Sequence, residues 1–166
     1  MTIPMPDGEL PELARSLRSL GAARDAATQA AHDAIFPPLI AARVRASRAQ
    51  GRDVVHAFNG AALTEQIERA VAAAATLGTV HPSVSRSRSA RARDALGPLQ
   101  AAFATLDQQG REAAAASPGS PPWEAWVESL RRTFATADEV CGQLARVLAE
   151  PPAEQEERGW FRRRRE

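Results

Sequence analysis

The large apolar residues between Pro122 and Leu148 leave this chain few ways to fold. Trp123, Val127, Leu130, Phe134, Ala137, Cys141, Leu144 and Leu148 follow one another at steps that alternate four and three without a miss. That is the period of one helix face laid along partner helices. Trp126, Thr133, Val140 and Val147 run beside it at steps of seven and widen the stripe to a face that suits a bundle core. Ser120-Pro121-Pro122 marks the start, since proline is tolerated in a first turn, and Pro151-Pro152 marks the stop. Such a helix is stable only against partners, so the rest of the chain must supply them.

Upstream, the spacing predicts a helix from about Pro11 to Ala34. Its face is Leu13, Leu17 and Leu20, continued by Ala27, Ala31 and Ala34, with Arg24 snorkelling at the edge. Phe36-Pro37-Pro38 is expected to end it, because proline disfavours helical geometry in the residue before it. A second helix is expected from Pro38 on the stripe Ile40, Val44, Ser47, Gly51, Val54 and Phe58, running through Gly51 at a cost of about 1 kcal/mol relative to alanine. At Asn59-Gly60 the phase changes to Leu63, Ile67, Ala70, Ala74 and Leu77, so a break belongs there. Gly78 to Pro82 reads as a stop and a turn, with Ser83 a suitable N-cap for the next helix. That helix runs to about Ala116 on Leu96, Leu99, Phe103, Leu106, Gly110 and Ala113, with a kink or new start at Gly97-Pro98. No strand alternation occurs. The expected architecture is all-α: an antiparallel bundle of four to five helices over residues 10–150. A flexible leader at 1–9 precedes it and a flexible charged C-terminal tail at 151–166 follows.

A chain of 166 residues fits one domain with a substantial core. It has no lysine, so all 21 basic residues are arginine. A GC-rich, bacterial codon supply explains that, and selection for arginine's planar fork is the functional alternative. The net charge of +1 gives no global field to steer a polyanion. Cys141 has no internal disulfide partner and reads as a small buried hydrophobe. No signal-peptide start and no run of about 18 apolar residues is present, so a cytoplasmic protein is expected.

Candidate chemistry is sparse. His32 beside Asp33 lacks the converging carboxylates and histidines of a bundle metal site, and His81 precedes a proline in a turn. No nucleophile–histidine–acid set, phosphate loop or metal-spaced cysteine set appears, so neither an enzyme nor a cofactor is expected. His56-Ala57-Phe58-Asn59-Gly60-Ala61-Ala62 resembles the signature of histidine phosphotransfer domains, with Asn59 where that family has lysine. The resemblance spans seven residues. It implies an exposed phosphoacceptor at His56, with Gly60 clearing space for a response-regulator partner. The plainer alternative is an exposed histidine whose charge suits a helix C-terminus.

Two arginine clusters remain. Arg86, Arg88, Arg91 and Arg93 are candidates for anion binding, or a solvated, salt-bridged helix start. In the tail, Trp160 and Phe161 stand beside Arg162, Arg163, Arg164 and Arg165 as a candidate partner-binding hook. That hook suits an acidic protein groove, single-stranded nucleic acid or an anionic membrane surface. The alternative is that it folds back on the chain's own bundle. The expected function is that of a non-catalytic helical adaptor or small subunit acting by protein–protein contact, with a nucleic-acid-binding subunit as the alternative.

Overall fold

The computed structural model describes the backbone at residues 9–76 and 82–150, and side chains at 18, 21–76 and 86–150. The leader, His81, the Gly78 turn and the tail with its hook lie outside the described residues. Six helical segments follow in order: α1 (Glu9–Arg48), α2 (Asp53–His56), α3 (Gly60–Ala75), α4 (Pro82–Ala95), α5 (Gly97–Ala114) and α6 (Pro121–Ala149). No strand occurs among the described residues. α4 and α5 join end to end at Leu96, where Pro98 has no N–H to offer Asp94, so together they act as one interrupted helix.

Each long helix packs on two others: α1 on α6 and α3, α3 on α4 and α5, and α4–α5 on α6. The result is an antiparallel four-helix bundle, with the single turn α2 closing the end between α1 and α3. Ile35, Leu39, Ile67, Leu99, Phe103, Val140 and Leu144 are wholly buried at its centre. Burying a side chain of that size contributes about 1.5–3 kcal/mol. The stripe read on α5 is confirmed in full, since Leu96, Leu99, Phe103, Leu106, Gly110 and Ala113 are all buried.

The structure corrects the sequence reading of α1. The helix does not end at Phe36; it runs through Pro37 and Pro38 to Arg48. Ala27, Ala31, Ala34, Ile35, Pro38, Leu39 and Ala42 are buried in one unbroken phase, mostly against α6. Packing along that face outweighs two lost backbone bonds. The break falls instead at Gly51, whose φ of +60° is the left-handed conformation that glycine adopts without strain. α2 then presents Val55 to the core, one residue from the expected Val54. The break at Asn59-Gly60 is where the phase change put it: Asn59 caps α3, its Oδ1 accepting from the Ala62 N–H at 3.0 Å.

Candidate functional site

α6 carries more apolar surface than its neighbours cover. Its buried line is Trp126, Thr133, Ala137, Val140, Leu144 and Leu148. The line at Trp123, Val127, Leu130, Phe134 and Cys141 is rotated to the edge, and all but Val127 are half-buried. Thus the core takes three residues from each stripe: Ala137, Leu144 and Leu148 from the one read as primary, and Trp126, Thr133 and Val140 from the one read beside it. Trp123, Leu130, Phe134 and Cys141 lie half-buried at its edge.

α1 does the same. With Ala31, Ile35 and Leu39 facing inward, Ile40 and Val44 face outward at 49% and 41% exposure. Val127 is 54% exposed, and among the described residues these three are the exposed large hydrophobics. Val127 lies beside the α1–α6 seam, whereas Ile40 and Val44 lie on the outer face of α1, opposite its buried residues. The Arg43 guanidinium lies over the Phe134 ring, 5.5 Å from its centroid, which joins the two helices there. Leu130 and Val127 lie one and two turns from Phe134 on α6, while Ile40 and Val44 are turned about 60° and 100° past Arg43 toward solvent. The result is a short apolar strip on α6, Val127, Leu130 and Phe134, with a cation over its Phe134 end. Its edge is charged: Glu128 accepts from Arg131 at 3.0 and 2.8 Å and from Arg132 at 3.1 Å. The Arg131 hydrogen bond holds the Glu128 carboxyl below the usual carboxylate range.

His56 is exposed, as expected, and ends the single turn α2. It lines an open groove of about 340 Å³ with Arg45, Ala57, Asn59, Ala62, Leu63 and Gln66. Gly60, however, is buried and turned away from any visitor. A Cβ there would sit 2.6 Å from the Phe103 carbonyl oxygen and 2.9 Å from the Asp107 carboxylate. Asp107 accepts from the N–H groups of Gly60 at 2.7 Å and Ala61 at 3.1 Å, satisfying two donors at the start of α3. The glycine lets α3 approach α5, and does not clear space beside the histidine.

The four central arginines have unlike surroundings. Arg88 is only 8% exposed and donates to the Glu150 carbonyl at 3.0 Å, while Arg91 pairs with the Glu150 carboxylate. Both tie α4 to the end of α6. Arg86 and Arg93 are exposed. His32 lies 3.6 Å from Asp33 and against the Phe36 ring, and the described residues contain no group of three or more metal-ligating side chains. Cys141 is half-buried, and burial, with Asp138 adding to it, raises its thiol pKa. No helix among the described residues is long and apolar enough to cross a membrane.

Sequence reasoning had placed Ile40, Val44 and Val127 in the core. The signal that finds them is surplus: α1 and α6 each carry two apolar registers, and one bundle contact buries only one. No protein-family model matches the chain, and no curated protein or solved structure matches it either.

Proposed function

We propose that this protein is a cytoplasmic, non-catalytic helical adaptor or small subunit that works by docking another protein on the α1–α6 seam. The observation that supports this is the line of exposed Val127 with half-buried Leu130 and Phe134 on α6, beneath the Arg43 of α1. Scattered exposed apolar residues need no explanation, whereas a continuous apolar strip edged by charges is the usual composition of a contact surface. Arg43 over Phe134 suits such a role, since arginine and aromatic residues dominate the energetics of interfaces.

The test is purification of the protein with its natural assembly, beside an Arg43→Glu/Val127→Gln variant. The adaptor reading expects the wild type to elute in a complex of defined stoichiometry and the folded variant to elute alone. Equal complex formation by both would end it. The nucleic-acid alternative is answered with the same samples. A band shift that weakens steeply with salt would replace the adaptor reading. The engagement of Arg88 and Arg91 with Glu150 argues against that shift.

A further inference from the structure

Three helices meet at the groove beside His56. Gly51 turns the chain back after α1, and Val55 enters the core, so its neighbour His56 on α2 is left exposed. Arg45, in the last turn of α1, reaches the same groove. The Oδ1 of Asn59 accepts from the Ala62 N–H at 3.0 Å, which leaves the amide nitrogen of that side chain to donate elsewhere. Gln66 stands one turn beyond Ala62 on α3. With Ala57, Ala62 and Leu63 as the apolar part of the lining, these side chains bound the hollow of about 340 Å³.

The lining offers hydrogen-bond donors and positive charge, and no carboxylate belongs to it. Among the described residues, neither Arg45 nor His56 stands within ion-pair distance of an acid. The neighbouring acids are placed otherwise. Asp107 accepts from the Gly60 and Ala61 N–H groups, Glu65 pairs with Arg69 at 2.8 Å, and Asp53 lies in the first turn of α2, outside the lining. Exposed Arg48 and Arg52, on the stretch between Arg45 and His56, add to the positive field. Exposed arginines alone are ordinary surface. A hollow of this size, with a few convergent polar groups over an apolar floor, has the composition of a small-molecule site. A guanidinium fits a phosphate with paired N–H bonds, and an imidazole and two side-chain amides supply further donors.

We propose that this groove binds a small phosphate monoester. Its phosphoryl oxygens lie on Arg45, His56 and the Asn59 amide, and its organic body on Ala57, Ala62 and Leu63. The ester is held and not cleaved, and the site does not depend on the adaptor reading. Titration calorimetry of the full chain with phenyl phosphate tests it, with inorganic phosphate and phenol as companion probes. Saturable binding is expected, with phenyl phosphate about tenfold tighter than either companion. Arg45→Gln and His56→Gln, both at exposed positions, should each weaken it by about tenfold with an unchanged thermal melt, the effect of losing a hydrogen bond to a charged group. Arg146→Gln, in the last turn of α6, should bind like the wild type. No saturable binding at millimolar probe would overturn the proposal, as would equal affinity of the wild type and Arg45→Gln/His56→Gln. Phenol binding as tightly as phenyl phosphate would overturn the phosphate contact, and inorganic phosphate doing so would overturn the contact with the organic body. An equal loss in Arg146→Gln would reduce the effect to net charge and overturn the site.

Discussion

At Gly60 and Asp107 the fold depends on single atoms. A methyl group at Gly60 meets a backbone carbonyl that cannot rotate away, so Gly60→Ala should destabilise by about 1–3 kcal/mol despite alanine's better helix propensity. Asp107→Ala removes both acceptors from the start of α3 and should cost about 2–3 kcal/mol. Urea unfolding measures both, and neutrality of either would dismiss the close α3–α5 contact. Pro37 gives the opposite sign. It is exposed inside a continuous helix, so Pro37→Ala restores a bond to the Asp33 carbonyl and should raise stability by about 1–3 kcal/mol. A chain that stopped at Phe36 and restarted at Pro38 would gain nothing. At Cys141, burial and Asp138 raise the thiol pKa, so less thiolate forms at a given pH. The folded state then holds the proton more tightly than the unfolded chain. Stability linked to this group is intact below the ordinary thiol pKa and falls as pH rises through the raised one. Alkylation at pH 8 should be slower in the folded protein than in urea, and equal rates would contradict the burial.

At the scale of elements, the sequence was legible wherever one apolar register competes with nothing. α5 is the clear case, its six stripe residues all buried, and the breaks at Asn59-Gly60 and Gly97-Pro98 follow from local backbone chemistry. α1 was illegible for a physical reason. Local rules end a helix before Pro37-Pro38, but the buried face from Ala27 to Ala42 runs straight through them, and long-range packing on α6 decides. That error carried Ile40 and Val44 into the expected core. The exposed apolar residues were therefore hidden twice, Ile40 and Val44 by the false restart on α1 and Val127 by the choice between two good registers on α6. The Gly51 break was underweighted for a related reason: a phase that survives a glycine on paper says nothing about the sign of its φ.

For the whole molecule, an even number of long helices brings the start of α1 and the end of α6 to the same end of the bundle, where Arg88 and Arg91 anchor Glu150. The opposite end is closed by α2, with Phe58 edge-on to Trp126 at 6.1 Å and Trp126 edge-on to Trp123 at 5.9 Å. Between the two ends Ile40 and Val44 face outward from α1, because the helix runs through Pro37 and Pro38 in one phase, and the account stands or falls on that orientation. Urea unfolding of an Ile40→Gln/Val44→Gln protein tests it most directly, glutamine being a good helix former with no apolar surface to lose. The outward face predicts a change within about 1 kcal/mol, as for surface positions. A loss of about 4 kcal/mol or more, the scale of truncated core residues, would place these side chains in the core and contradict the account.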